Sequence, residues 1–164
     1  MTFLSAADLV RVSQDFFTVD LISGGRAEII AERGVFTEPF PLFGVDLRDY
    51  DQRFSEKLDL LRKLSRTERI TWRGNFRSPL QNAEISPRPI QQELPIWIGV
   101  GGTPQSAVRA GDLGLPMALA VLGGPRTAIK PIVDLYQEAG QPGSTCRTLS
   151  FASEGQYQQP RLYR

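Results

Sequence analysis

Apolar side chains recur at helical spacing in four parts of the chain. The pattern predicts helices over Ser5–Ile22, over Tyr50–Leu64, from Thr103 to Gly111 or Gly114, and over Thr127–Ala139. Glycines follow the first and last of these segments, as is typical where a helix ends.

The first two helices have the clearest apolar faces. In the first, Ser5 and Asp8 are spaced as a capping box. Its core-facing side chains are predicted to be Val12, Phe16 and Val19, with Leu9 on the same side. In the second, one face carries Phe54, Leu58, Leu61 and Leu64.

Between the helices, apolar runs predict strands. The most continuous runs are Leu94–Val100 and Pro116–Leu122, and a shorter one is Ala27–Ala31. Alternation over Ile70–Trp72 and again at Phe76–Arg77, with a turn between them, predicts a small β-hairpin. Strands that alternate with helices indicate an α/β fold in which helices pack outside a parallel sheet.

The pattern is lost after residue 140. Residues 141–164 are rich in Gln and have scattered apolar positions without periodicity. We therefore expect one domain over residues 1–140 and a disordered tail over residues 141–164.

Composition narrows the classes of protein. The 164 residues are 41% hydrophobic and 23% charged, which suits a globular core. A net charge of +1 lacks the basic excess of a nucleic-acid binder, and no apolar run is long enough to span a membrane. The first ten residues do not resemble a signal peptide, and the single cysteine, Cys146, fits a reducing cytoplasm.

The chain contains no histidine. This excludes a Ser-His-Asp triad, a Cys-His dyad and the common zinc sites, and no metal site is expected. Chemistry at neutral pH would then depend on carboxylates, arginines, hydroxyls or a bound cofactor.

Glycines follow three predicted strands and indicate an anion site. Gly101, Gly102, Thr103 and Ser106 lie where a strand meets a helix N-terminus, a place that suits phosphate. The alternative is an ordinary tight turn. Two other strand ends, Glu32–Arg33–Gly34 and Gly123–Gly124–Pro125–Arg126, place arginines on the same rim. Arg33 and Arg126 could equally be solvated or ion-paired surface residues.

Three further groups have structural interpretations. The Phe- and Pro-rich loop over Val35–Phe43 either closes over an apolar ligand or packs against the body of the protein. The carboxylates of Asp46, Asp49 and Asp51 are typical of helix starts. The side chains expected in the core are Trp72, Phe76 and Trp97.

Several segments together resemble the luciferase-like flavin-dependent monooxygenases. The resemblance runs in order from about residue 5 to residue 140, and its segments are Asp15–Glu28, Arg33–Glu38, Pro41–Gly44, Pro87–Gln91 and Pro95–Pro104. It implies a (β/α)8 barrel that binds reduced FMN, or a deazaflavin, and oxidises a small organic substrate with O2. A flavin reductase is an expected partner.

The resemblance also assigns roles to the rim residues. The FMN phosphate would lie near Arg33 and near Gly101, Gly102, Thr103 and Ser106. Glu32 and Gly34 would lie beside it, Glu32 next to the flavin ring. Gly123 and Gly124 would lie near the flavin or the substrate. The resemblance names no catalytic residue.

Length limits what the resemblance implies. A complete barrel of this type needs about 250 residues, so the expectation is a partial TIM barrel of about three parallel strands with flanking helices and a β-hairpin insertion. Two other hypotheses remain open. One is a non-catalytic fragment that associates through exposed strand edges with a partner or a second copy. The other is a small phosphate-binding α/β module.

Overall fold

The computed structural model describes residues 2–34, 39–122, 129–140, 146–151 and 162–163. These residues fall in two compact units, Met1–Pro95 and Ile96–Arg164. Each unit combines helices with strands, and each contains strands that pair in parallel. The predicted α/β class is confirmed.

The first unit contains a parallel strand pair, a helical layer and a separate hairpin. Its elements are β1 (Thr2–Phe3), α1 (Leu9–Ser23), β2 (Ile29–Glu32), α2 (Pro39–Leu42), a 3-10 turn (Leu47–Asp49), α3 (Tyr50–Arg66), β3 (Arg69–Trp72) and β4 (Leu80–Glu84). In the parallel pair, Thr2 of β1 lies opposite Ala31 of β2. The sequence pattern did not predict β1, which has only two residues.

Helix α1 begins later than predicted and presents a different face. Asp8 is its N-cap and accepts hydrogen bonds from the main-chain nitrogens of Val10 and Arg11, so the predicted capping box is wrong. The predicted inner face is only partly right, because Val19 is 51% exposed and Phe16 is half-buried. The buried positions are Leu9, Val12, Ser13, Phe17 and Asp20. The buried face of α1 includes the Asp20 carboxylate, so it differs from the face that the apolar spacing predicts.

The hairpin is longer than its sequence pattern indicates. Its second strand is β4, not Phe76–Arg77, and residues 73–79 connect the two strands. The connection is held to α3 because Glu56 accepts hydrogen bonds from the main-chain nitrogens of Asn75, at 2.8 Å, and Phe76, at 3.0 Å. A longer connection, held by these hydrogen bonds, thus stands in place of the short turn that we predicted.

The second unit is a sheet with two helices. Its elements are β5 (Ile96–Val100), α4 (Pro104–Asp112), β6 (Met117–Leu122), α5 (Lys130–Ala139), β7 (Cys146–Phe151) and β8 (Leu162–Tyr163). Strands β5, β6 and β7 are parallel, and β8 pairs antiparallel with β7. Helices α4 and α5 pack so closely that a Cβ atom at Gly111 would lie 2.7 Å from the main-chain oxygen of Tyr136.

Strand β7 corrects the expectation for the C-terminal segment. It pairs with β6 over six residues, from Met117 opposite Cys146 to Leu122 opposite Phe151. Disorder was therefore the wrong prediction for residues 146–151. The strand depends on main-chain pairing with β6, which local periodicity does not encode. Residues 141–145 and 152–161 of the same segment lie outside the described residues.

Candidate functional site

The main-chain oxygens at the end of β2 accept three hydrogen bonds. The Leu4 nitrogen donates to the Glu32 oxygen at 3.1 Å, and the Ser5 hydroxyl donates to the Arg33 oxygen at 3.3 Å. The Tyr50 hydroxyl donates to the Gly34 oxygen at 2.9 Å. Gly34 has a φ of 97°, and a Cβ atom there would collide with the ring of Phe3. The segment Glu32–Gly34 therefore has a defined position.

The Arg33 side chain is held by α3. Its Nη1 lies 2.6 Å from Oδ1 of Asp51, and its guanidinium lies 4.9 Å from the centre of the Tyr50 ring. The Arg33 side chain is 14% exposed, whereas that of Asp51 is 66% exposed. Of the two interpretations of Arg33 as a surface residue, the structure shows the ion pair. A guanidinium fixed by a carboxylate keeps its positive charge, which favours an anion nearby.

Glu32 is a half-buried carboxyl group at the same strand end. Burial raises its pKa above the ordinary value, against the opposing effect of the N-terminal charge. A carboxyl group with a raised pKa can hold a proton closer to neutral pH than an exposed one.

The loop after β2 has one buried and several exposed apolar residues in its described part. Phe40 is buried, with its ring 5.2 Å from that of Phe3 and 5.4 Å from that of Tyr50. Leu42 and Phe43 are 81% and 63% exposed. Phe40 therefore packs against the first unit, as one of the two interpretations expected. Residues 35–38 lie outside the described residues.

In the second unit, the predicted anion-site residues lie at the junction of β5 and α4. Thr103 is the N-cap with an extended main chain, and Pro104 is the first helical residue, as predicted. Within the described part of the chain, the Thr103 hydroxyl makes no capping hydrogen bond. Gly102 has a φ of 101°, and no described atom lies within 4 Å of where its Cβ would be. Among the described residues, nothing thus blocks the main chain at Gly102, and the Thr103 hydroxyl is exposed.

The four predicted residues at this junction differ in exposure. Gly101, Gly102 and Thr103 are exposed, whereas Ser106 is buried. The Ser106 nitrogen donates to the Thr103 oxygen at 3.0 Å, which closes the first turn of α4. We therefore expect Gly101, Gly102 and Thr103 to contact a ligand more directly than Ser106.

The structure groups the predicted residues in two clusters. Glu32, Arg33 and Gly34 lie together in the first unit, and the residues from Gly101 to Ser106 lie together in the second. Gly123 and Gly124 lie outside the described residues. Sequence reasoning missed the supporting roles of Tyr50 and Asp51, although it placed Asp51 correctly at a helix start.

The described ranges bear on two other classes of site. No helix in them is both long and apolar enough to cross a membrane. No three residues among His, Cys, Asp and Glu come together there as a group that could hold a metal ion.

Comparison with known proteins gives a family match. The family model described as luciferase-like monooxygenase matches residues 2–153. Among curated proteins, the uncharacterized protein y4wF of Sinorhizobium fredii is 29% identical over 135 residues, which are 82% of this chain and 38% of that protein.

Solved structures show the same fold. Monooxygenase RslO1 from Streptomyces bottropensis is 24% identical with a TM-score of 0.73, over 83% of this chain and 41% of that one. The oxygenating constituent of 3,6-diketocamphane monooxygenase from Pseudomonas putida, solved with FMN, is 16% identical with a TM-score of 0.68, over 84% and 41%. An F420-dependent secondary alcohol dehydrogenase, solved with an F420–acetone adduct, is 20% identical with a TM-score of 0.67, over 87% and 44%.

These similarities confirm the predicted fold as part of a TIM-barrel type. The chain covers only part of that fold, because it spans 38% to 44% of the length of these relatives.

Proposed function

Since this chain belongs to the family of luciferase-like monooxygenases, we propose that it binds reduced FMN and contributes to the oxidation of a small organic substrate by O2. The observation that carries the proposal is the start of α4. There the open space beside Gly102 and the uncommitted hydroxyl of Thr103, within the described residues, fit a phosphate group.

The phosphate would be bound by main-chain N–H groups together with the helix dipole. The amides of Gly102, Thr103 and Gln105 are the donors that we assign to it, because Pro104 has no N–H and the Ser106 amide is used within the turn. The Thr103 hydroxyl adds one further donor.

In the first unit, we assign separate roles to the residues at the end of β2. Arg33 supplies a positive charge for an anionic part of the cofactor. Burial raises the pKa of the Glu32 carboxyl group, which favours proton exchange between this group and a bound molecule. When bound, the reduced flavin supplies the reaction with O2, and the protein supplies binding, orientation and the exclusion of water.

A flavin titration tests this proposal. The flavin fluorescence of FMN and of riboflavin, which lacks the phosphate, is followed as the chain is added. We expect FMN to bind at least about ten times more tightly, since even one hydrogen bond to a charged group contributes about 1.5 to 3 kcal/mol. Thr103→Val, which removes one of the four assigned donors, should reduce this preference. Thr18→Val, a matched change at an exposed position of α1, should leave it intact.

Equal binding of FMN and riboflavin would contradict the proposal, as would an unchanged preference in Thr103→Val. The same titration with a deazaflavin tests that alternative, which is favoured if the deazaflavin binds and FMN does not. Competition by inorganic phosphate alone, without any flavin preference, would instead favour a phosphate-binding module.

A second candidate function follows from the covered length. The chain spans about two fifths of its relatives, and β1 pairs only with β2 among the strands described for the first unit. The other edge of β1 could join a partner chain or a second copy and complete the sheet. Light scattering in solution tests this, because a monomer at all concentrations would exclude self-association.

The expected flavin reductase and the cytoplasmic location belong to the same proposal. A cofactor that must arrive reduced requires a supply of reducing equivalents, and a lone cysteine suits a reducing compartment.

A further inference from the structure

Lys57 is a buried lysine in the middle of α3. Its ammonium nitrogen donates hydrogen bonds to the main-chain oxygens of Ser5, at 2.9 Å, and Ala7, at 2.7 Å. Lysine is seldom buried, because removing an ammonium group from water is costly unless acceptors surround it. Two main-chain acceptors therefore hold this side chain, and the side chain in turn fixes that main chain.

The turn that Lys57 binds leads directly to the end of β2. The turn follows β1, and Ser5 within it is fully buried. The hydroxyl of Ser5 donates to the Arg33 oxygen, and the preceding nitrogen, that of Leu4, donates to the Glu32 oxygen. The main-chain oxygen of Ser5 thus accepts a hydrogen bond from the Lys57 ammonium group, and its hydroxyl donates one to the residue that follows β2.

Helix α3 reaches this strand end with a second side chain. Tyr50 lies seven residues before Lys57, which is about two turns, so both side chains share one face of the helix. The Tyr50 hydroxyl binds the Gly34 oxygen directly. We propose that Lys57 is a positioning residue which, with Tyr50, holds Glu32–Gly34 in the place that a bound cofactor requires.

The relevance of Lys57 to a cofactor rests on the proposed function. The positioning itself does not, because it is a property of the free chain. The alternative is that Lys57 only contributes to overall stability. The two roles predict different effects of removing the Lys57 side chain. Positioning predicts a loss of stability that is local to the end of β2, whereas a purely structural role predicts a uniform loss.

Hydrogen exchange of the free chain separates these possibilities. The amides of Leu4 and Ala7 report on this turn, because they donate to the main-chain oxygens of Glu32 and Leu4. In Lys57→Met they should exchange about tenfold faster, which corresponds to about 1.4 kcal/mol, relative to the amides in the core of α1. Ser5→Ala removes the link to Arg33 with little change in volume and should have the same local effect. The double variant should exchange no faster than either single variant, because both break one chain of contacts.

The matched control is Lys63→Met on the same helix. Lys63 is 52% exposed, pairs with Asp59 at 3.0 Å and lies over the ring of Trp72, so its loss should leave the Leu4 and Ala7 amides unchanged. Unchanged exchange of these amides in Lys57→Met would overturn the proposal, as would an equal increase at every amide. If Lys57→Met does not fold, Ser5→Ala decides alone by the same two criteria.

Cofactor binding is then measured on the same variants. If wild type binds FMN, Lys57→Met should weaken that binding about tenfold, and unchanged affinity would overturn the link to the cofactor. If wild type does not bind FMN but the local exchange effect is present, the proposed function fails and the positioning role stands.

Discussion

Replacing Asp20 with asparagine should strongly destabilise the first unit. Asp20 is fully buried in α1, and its two carboxylate oxygens accept four hydrogen bonds. The donors are the main-chain nitrogens of Ala27, Ile90 and Gln91 and the side-chain amide of Gln91, at 2.7 to 3.2 Å. A single carboxylate thus joins α1 to the start of β2 and to the segment before β5.

The magnitude follows from the loss of charge and of one acceptor atom. A hydrogen bond to a charged group contributes about 1.5 to 3 kcal/mol, and asparagine would also place its NH2 group against N–H donors. We expect the free energy of unfolding to fall by about 3 kcal/mol or more. Asp15→Asn, an exposed position on the same helix, should change it by less than about 0.5 kcal/mol.

The pH dependence of stability gives a second signature. Burial by itself raises the pKa of Asp20, but the hydrogen bonds from Gln91, Ala27 and Ile90 outweigh it and lower the pKa below the ordinary 3.8. The stabilisation is therefore complete above the ordinary value and is lost as the pH falls through the lower, folded-state value. Asp20→Asn should lack this acid-dependent loss.

Urea unfolding followed by circular dichroism, at neutral pH and again below pH 4, measures both effects. A loss of less than about 1 kcal/mol in Asp20→Asn would refute the reasoning. An acid dependence equal to that of wild type would refute it as well.

Two further predictions concern α4 and α3. Gly111→Ala should destabilise the second unit by about 1 to 3 kcal/mol, although alanine favours a helix. The reason is that the new Cβ would lie 2.7 Å from the Tyr136 oxygen and 2.9 Å from the Ala139 Cβ. A gain in stability on thermal unfolding would contradict this packing. Burial lowers the pKa of Lys57 to about 8, with Arg53 acting in the same direction and Asp8 and Glu56 opposing it. Because the folded state releases this proton before the unfolded state does, stability should rise from about pH 8 to pH 10 relative to Lys57→Met, and parallel pH profiles would contradict the assignment.

The sequence predicted the elements in which apolar side chains recur at regular spacing along one helix or strand. The four leucine and phenylalanine positions assigned to the inner face of α3 are all buried, as are Trp72 and Trp97. The resemblance to luciferase-like monooxygenases is confirmed by the family match, which extends to residue 153. Phe76 was expected in the core but is half-buried, with the Arg53 guanidinium 4.5 Å from the centre of its ring.

Features that depend on distant polar contacts could not be predicted. Asp20 and Lys57 would be surface residues by type, and each is buried because its partners come from segments far along the chain. Strand β4 starts later than its alternation indicates, because Glu56 holds the connection. Periodicity reports the environment of a side chain along one element, whereas these contacts arise only when elements pack together.

The most direct test of the proposed cofactor site is the response of individual amides to FMN. Two-dimensional NMR of the labelled chain, titrated with FMN and with riboflavin, resolves the residues at the start of α4. The account predicts that the amides of Gly102, Thr103 and Gln105 shift with FMN and far less with riboflavin. Binding of FMN that leaves these three amides unshifted would contradict it.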